Sequence, residues 1–102
     1  MIELRRYQRA ALDVAVELTP KGGGERRPAR AKDISLGGMF VECGQPLPFS
    51  SELVVHVTLP GHRAPFAIPA VVRWTRPDGM GLQFGLLGAR ETHAITGLTK
   101  AP

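Results

Sequence analysis

The amino-acid sequence predicts an all-β domain that folds as a closed sheet or small barrel. Apolar residues alternate with polar or small residues along several segments, which is typical of strands with one buried face. Turns rich in glycine and proline separate these segments at regular intervals. The chain has 102 residues and an apolar content of 43%, which is sufficient for one hydrophobic core.

The strand pattern is clearest in four segments. In residues 11–18 every second residue is apolar: Leu12, Val14, Val16 and Leu18. The same period recurs in residues 53–59, and residues 67–75 and 80–86 are rich in β-branched, aromatic and other apolar residues. The turn signals between strands are at residues 20–24, 46–48, 60–61 and 77–79. Closing such a sheet also removes its exposed edges.

The C-terminal segment is the one part of the chain with a helical pattern. Its predicted inward-facing residues are Ala94, Ile95 and Leu98. We therefore expect a single domain over residues 1–102, with residues 11–86 in the barrel and residues 89–99 in a short helix. Residues 1–10 have few apolar side chains and are predicted to form a flexible arm.

Basic residues are concentrated near the N-terminus. The net charge is +4 and the pI is near 10.0, and eight of the thirteen Lys and Arg residues lie in the first 32 positions. They are Arg5, Arg6, Arg9, Lys21, Arg26, Arg27, Arg30 and Lys32. This asymmetry suggests an anionic partner, although the same charges also keep a small domain soluble.

Several functional classes find no support in the sequence. The single cysteine, Cys43, cannot form an internal disulfide or a cysteine-rich zinc site, and we expect it to be inert packing. No apolar run approaches the ~18–20 residues that span a bilayer, so we expect no membrane insertion and a cytoplasmic location. The histidines are scattered and no nucleophile–base grouping is evident, so we expect no catalysis, no metal and no cofactor.

Two short clusters carry binding chemistry. Arg5 and Arg9 are four residues apart, and guanidinium forks suit phosphate oxygens and the O6/N7 edge of guanine. Asp33 can accept hydrogen bonds from a guanine edge, and Ser35 can bind a phosphate or fix its loop. Gly38 permits a close approach that a side chain would block. Alone, the arginines could be a solvated charge cluster and the second group an Asx-turn. A β-hairpin could bring both clusters to one end of a barrel.

The two clusters resemble the motifs of PilZ domains. Residues 5–9 (RRYQR) match the RxxxR motif of that family, and residues 33–38 (DISLGG) match its (D/N)xSxxG motif. Residues 71–74 and 80–84 are similar to the closing strands of the family, so the resemblance covers nearly the whole chain. It implies a six-stranded antiparallel β-barrel with a C-terminal helix. It also implies binding of the bacterial second messenger cyclic di-GMP.

The resemblance further implies six ligand-binding residues: Arg5, Arg6, Arg9, Asp33, Ser35 and Gly38. The arginines would hold phosphate and guanine, Asp33 and Ser35 would hold a guanine edge and the adjoining backbone, and Gly38 would make room. Binding would order the arm across the barrel and create a surface for an unidentified downstream protein. Because no output domain is attached, we expect a stand-alone adaptor.

Two other functions remain open. A small basic barrel could bind nucleic acid, but this requires aromatic residues among the basic ones, and Tyr7 is the only one there. We therefore expect no nucleic-acid polymer as a partner. Alternatively, the chain could be a PilZ-like interaction module without a nucleotide, although such members typically lack motif residues that this chain keeps. Four other aromatic residues are predicted to lie in the core: Phe40, Phe66, Trp74 and Phe84.

Overall fold

The computed structural model describes residues 8–100 and shows a closed antiparallel barrel followed by a helix. The elements are β1 (Ala10–Pro20), β2 (Arg27–Ile34), β3 (Gly38–Glu42), β4 (Glu52–Val57), β5 (Phe66–Arg76), β6 (Gly79–Phe84) and α1 (Ala89–Thr99). The strands are ordered β1-β2-β3-β6-β5-β4 around the barrel. The predicted six-stranded barrel and C-terminal helix are thus confirmed, whereas most of the predicted arm, including Arg5 and Arg6, lies outside the described residues.

The core is filled by the inward-facing residues of all six strands. The alternation predicted for β1 and β4 holds, because Val16 and Leu18 are buried in β1 and Val55 and Val57 in β4. Helix α1 contributes Ala94 and the fully buried Ile95 to the same core. Full burial of an isoleucine side chain stabilises the fold by about 1.5–3 kcal/mol, so α1 is a structural part of the domain.

The β1–β2 hairpin sets the geometry of one end of the barrel. Its turn contains the glycines of residues 22–24, which adopt positive φ angles of 93°, 111° and 114°. Glycine adopts such angles without strain. The antiparallel register then places Ala11 opposite Asp33, so the first residues of β1 lie beside the last residues of β2. On its other side Asp33 lies opposite Phe40 of β3, so Ala11, Asp33 and Phe40 are neighbours across three strands.

The prediction that Trp74 belongs to the core is wrong, because the residue is 41% exposed. The reason is a β-bulge in β5 between Val72 and Trp74. These two residues oppose Leu82 and Gly81, which are adjacent in β6, so β5 has one extra residue at this point. The bulge breaks the alternation that would have pointed Trp74 inward. Phe66 and Phe84 are in the core as predicted.

Candidate functional site

The hairpin brings one arginine of the first motif onto the acid of the second. Arg9 Nη2 donates to Asp33 Oδ1 at 2.9 Å, and Arg9 Nε donates to Asp33 Oδ2 at 3.3 Å. Such a two-point contact fixes the guanidinium plane relative to the carboxylate. The side chains remain 40% and 33% exposed, so both groups can be reached from solvent.

Asp33 is also tied to the neighbouring strand. The backbone N–H of Phe40 donates to Asp33 Oδ1 at 3.0 Å. This contact follows from the register, in which the bulge between Ala31 and Asp33 places Asp33 opposite Phe40. The carboxylate therefore links the residue just before β1, the end of β2 and the middle of β3.

Ser35 fixes the turn between β2 and β3. The residue is buried, and its hydroxyl oxygen accepts a hydrogen bond from the Gly37 N–H at 3.1 Å. Its own backbone N–H donates to the Gly38 carbonyl at 2.8 Å. Of the two roles that the sequence suggests for this hydroxyl, these contacts correspond to the second, which is to hold the loop in shape.

Gly38 is required by the packing of β3 against β6. It is buried and pairs with Gln83, and a Cβ at this position would overlap the Leu82 carbonyl oxygen and lie 3.0 Å from the Leu82 carbonyl carbon. Its missing side chain thus makes room for the backbone of β6. The remaining two predicted site residues, Arg5 and Arg6, lie outside the described part of the chain.

A second group of charges joins β1 and β2. Asp13 Oδ1 accepts hydrogen bonds from Arg30 Nε at 2.6 Å and from Lys32 Nζ at 3.3 Å. Arg30 Nη2 also donates to the Asp13 carbonyl at 2.9 Å. The Arg30 hydrogen bond, followed by that from Lys32, lowers the pKa of Asp13 below its usual 3.8. Two cations of β2 are therefore held by one carboxylate, so this group of charges keeps a net positive charge.

An aromatic cluster packs against β6. Of its two aromatic residues, both predicted to lie in the core, Phe40 is buried and Trp74 is exposed. The Phe40 and Trp74 rings are nearly parallel, with an interplanar angle of 11° and centroids 5.4 Å apart. The Arg76 guanidinium carbon is 4.5 Å from the Phe40 centroid and 5.6 Å from the Trp74 centroid. A Cβ at Gly79 would collide with the Phe40 ring, and one at Gly81 with the Trp74 ring. Gly79 and Gly81 of β6 lie opposite Arg76 and Trp74. These two glycines, one residue apart, are the sequence signal that could have revealed the cluster.

Comparison with known families settles the classification. The family model for the PilZ domain matches residues 3–100, which is nearly the whole chain. The chain belongs to the PilZ domain family. The matched range contains both clusters noted in the sequence, and their described residues meet at the end of the β1–β2 hairpin.

Known proteins similar to this PilZ domain include a cellulose synthase and an inhibitor of motility. The cellulose synthase catalytic subunit (UDP-forming) of Xanthomonas axonopodis pv. citri is 30% identical over 97% of this chain, which spans 13% of that protein's length. A crystal structure of the PilZ domain of a bacterial cellulose synthase superposes with a TM-score of 0.71, at 17% identity, over 89% of this chain and 93% of that one. The Bacillus subtilis inhibitor of motility (MotI/DgrA) has a TM-score of 0.69 and 26% identity, over 89% of this chain and 47% of its own.

Cys43 and His56, which lie outside the two motifs, both have polar neighbours within the protein. Burial raises the pKa of the Cys43 thiol, which agrees with its expected packing role. His56 Nε2 lies 2.9 Å from the Thr19 hydroxyl on the β1–β4 surface. Within residues 8–100 no group of three His, Cys, Asp or Glu side chains could hold a metal ion. No helix in the same part of the chain is long and apolar enough to cross a membrane.

Proposed function

We propose that this PilZ domain is a cyclic di-GMP receptor that binds its ligand at the rim formed by Arg9, Asp33 and the β2–β3 turn. The observation that carries the proposal is the two-point contact between Arg9 and Asp33. It joins the two motifs that identify nucleotide-binding members of the family. Membership of the PilZ family supports the choice of ligand.

The chemistry of the rim matches the two parts of a cyclic dinucleotide. A guanidinium group has five N–H donors, and the Asp33 contact uses two of those on Arg9. The others are available for a phosphate, and the guanidinium plane can stack on a base. Asp33 Oδ2, which accepts only the longer Arg9 bond, can take a hydrogen bond from guanine N1–H or N2–H. In this proposal Arg5 and Arg6 supply further positive charge that attracts the phosphates.

Ser35 and Gly38 act on the ligand through the shape of the turn. Because the Ser35 hydroxyl accepts from the Gly37 N–H, it holds the backbone that follows Asp33. Because Gly38 lets β6 approach β3, it fixes the strand from which the Phe40 N–H reaches the carboxylate. Both residues thereby present Asp33 in one orientation, which reduces the entropic cost of binding.

We further propose that ligand binding is passed to a partner protein by a rearrangement of residues 1–10. The ligand phosphates would draw the arginines of this segment onto the rim and create a new surface. Hydrogen exchange of residues 1–10 should slow when cyclic di-GMP is saturating. Exchange that is identical with and without the ligand, in a sample shown to be bound, would contradict this mechanism.

Isothermal titration calorimetry of the wild type and of Arg9→Ala tests the binding proposal. Charge-assisted hydrogen bonds contribute about 1.5–3 kcal/mol each, so we expect Arg9→Ala to weaken binding by at least tenfold. Arg63→Ala removes the same charge from the β4–β5 connection and should leave the affinity within about twofold. If the wild type gives no heat with cyclic di-GMP, the proposal is wrong. If it instead binds oligonucleotides with a steep salt dependence, the chain is a nucleic-acid binder.

A further inference from the structure

The outer face of β4 and β5 carries an apolar patch. Its strand residues alternate with core residues, so their side chains point away from the barrel: Val54 on β4, and Ala67, Pro69 and Val71 on β5. The backbone N–H of Gly85 donates to the Pro69 carbonyl at 2.8 Å. This bond places the next residue, Leu86, which is 95% exposed, at the border of the same patch. A contiguous apolar patch that is rimmed by polar residues marks a site of association.

Two groups of charged residues flank the apolar patch. In the first, Lys21 Nζ donates to Glu52 Oε1 at 3.0 Å. In the second, Arg26 Nη1 donates to Glu17 Oε1 at 3.0 Å, and Arg26 Nη2 lies 3.3 Å from His56 Nε2. The side chains of both ion pairs are between 55% and 74% exposed, so each charge can also meet a partner from outside.

The strand registers place the two groups symmetrically about one row of residues. This central row runs across the strands through Thr19, Val54 and Pro69. The outward-facing row on one side of it reads Glu17, His56, Ala67, and the row on the other side reads Lys21, Glu52, Val71. The two outer rows therefore carry opposite charges at corresponding positions. Glu17 corresponds to Lys21, and Arg26, which lies over the first row, corresponds to Glu52.

We propose that this face is a dimer interface for a second copy of the chain, with the two-fold axis along the central row. In such an isologous interface, a residue on one side of the axis meets the corresponding residue from the other side in the partner. Glu17 then faces the partner's Lys21, and Arg26 faces the partner's Glu52. An unrelated protein would have to match both signs independently, whereas a second copy matches them by symmetry.

The apolar patch forms the centre of this interface. Val54 and Pro69 lie on the axis and meet their own copies, and Ala67 meets the partner's Val71. These short or branched side chains have few rotamers, so covering them costs little conformational entropy. Sheets that pack face to face keep their strands within about 30° of each other, and an axis across the strands permits this alignment. Because the described barrel is closed, a second copy packs on its face instead of adding a strand at an edge.

The size of the face predicts a weak dimer. It covers three strand spacings and four residues along each strand, so it measures roughly 14 Å by 14 Å. This is below the ~800 Å² that each partner buries in a standard interface, and smaller interfaces belong to transient complexes. Sedimentation equilibrium should therefore show a reversible monomer–dimer equilibrium as the protein concentration is raised from about 10 μM to 1 mM.

Exchange of the charges of one flanking pair tests the interface. In the double variant Lys21→Glu/Glu52→Lys, the ion pair within the chain is kept with reversed polarity and the net charge is unchanged. Across the axis, however, like charges meet at all four contacts, so the dissociation constant of the dimer should rise by at least about tenfold. Asp13→Arg/Arg30→Asp exchanges an exposed pair that lies outside this face, and should leave that constant within about twofold.

A second variant tests the apolar centre. Pro69→Asp brings two carboxylates together on the axis, so the dimer should be undetectable in the same concentration range. Circular dichroism of each variant confirms that the barrel is folded before its association is compared.

Two outcomes would overturn the proposal. The wild type could remain monomeric up to 1 mM, or both the Lys21/Glu52 exchange and Pro69→Asp could dimerise as tightly as the wild type, which would mean that another face is used. The measurements are made without cyclic di-GMP. Failure of the dimer therefore leaves the receptor proposal standing, and failure of ligand binding leaves the dimer standing.

Discussion

Removal of the Asp33 carboxylate should destabilise the fold as well as remove the proposed ligand contact. Asp33 accepts one hydrogen bond from the Phe40 N–H and two from Arg9. A hydrogen bond to a charged acceptor contributes about 1.5–3 kcal/mol, and a partly exposed ion pair about 0.2–1 kcal/mol. We therefore expect Asp33→Ala to lower the free energy of unfolding by roughly 2–4 kcal/mol.

Asp33→Asn separates the two roles of the residue. The amide oxygen can still accept from the Phe40 N–H, so the loss of stability should be only about 1–2 kcal/mol. This variant lacks the charge that attracts Arg9 and that, in the proposed complex, accepts from guanine. Binding of cyclic di-GMP should therefore fall as far in Asp33→Asn as in Asp33→Ala. The alanine variant thus measures how much the carboxylate stabilises the fold by linking two strands. The asparagine variant measures how much its charge contributes to binding.

Urea unfolding followed by far-ultraviolet circular dichroism gives these free energies. With a slope typical of a small domain, a loss of 2–4 kcal/mol moves the midpoint by roughly 1–2 M. Asp78→Ala is the matched control, because that carboxylate makes one exposed pair, 3.4 Å from Arg76 Nε, and should cost no more than about 1 kcal/mol. If Asp33→Ala is no less stable than Asp78→Ala, the carboxylate does not tie the strands together and this reasoning is refuted.

Three further predictions follow from local contacts. Gly38→Ala should cost about 3 kcal/mol or more, because the added Cβ meets backbone, whereas Gly44→Ala, with open space around it, should stay within about 1 kcal/mol in the same urea titration. The Arg30 hydrogen bond lowers the pKa of Asp13 in the folded state, so Asp13 stabilises the fold above the ordinary carboxyl pKa. The stability difference between wild type and Asp13→Asn should therefore be present at pH 7 and vanish as the pH falls well below 3.8. Because burial raises the pKa of Cys43, iodoacetamide should alkylate it more slowly at pH 8 than it alkylates glutathione, and urea should remove the difference.

The barrel could be predicted from the sequence because its strands follow a simple rule. In β1 and β4 the buried residues occur at every second position, and the turns between strands carry strong glycine and proline signals. The contact between Arg9 and Asp33 could also be anticipated, since a hairpin necessarily brings its two ends together. These features depend on local patterns and on chain connectivity, both of which a single sequence contains.

The exposed aromatic surface could not be predicted in the same way, because it depends on a register shift. A period-two pattern assigns Trp74 to the face of Val72, and only the bulge opposite Leu82 and Gly81 reverses that assignment. Such a bulge is decided by the pairing of β5 with β6, which is a tertiary contact. The alternating glycines of β6 indicate a bare strand face but do not reveal which side chains cover it.

The second motif makes contacts that stabilise the fold, and this affects how its variants must be interpreted. Asp33 links two strands, Ser35 holds a turn and Gly38 leaves room for a neighbouring backbone. Loss of binding after substitution of these residues therefore does not distinguish a ligand contact from a misshapen rim. Arg9 is different, because its described contacts are to Asp33 alone and it lies exposed just before β1. Its loss should cost the fold no more than a surface ion pair. A folded Arg9→Ala variant without affinity is consequently the most direct sign that the rim binds a dinucleotide.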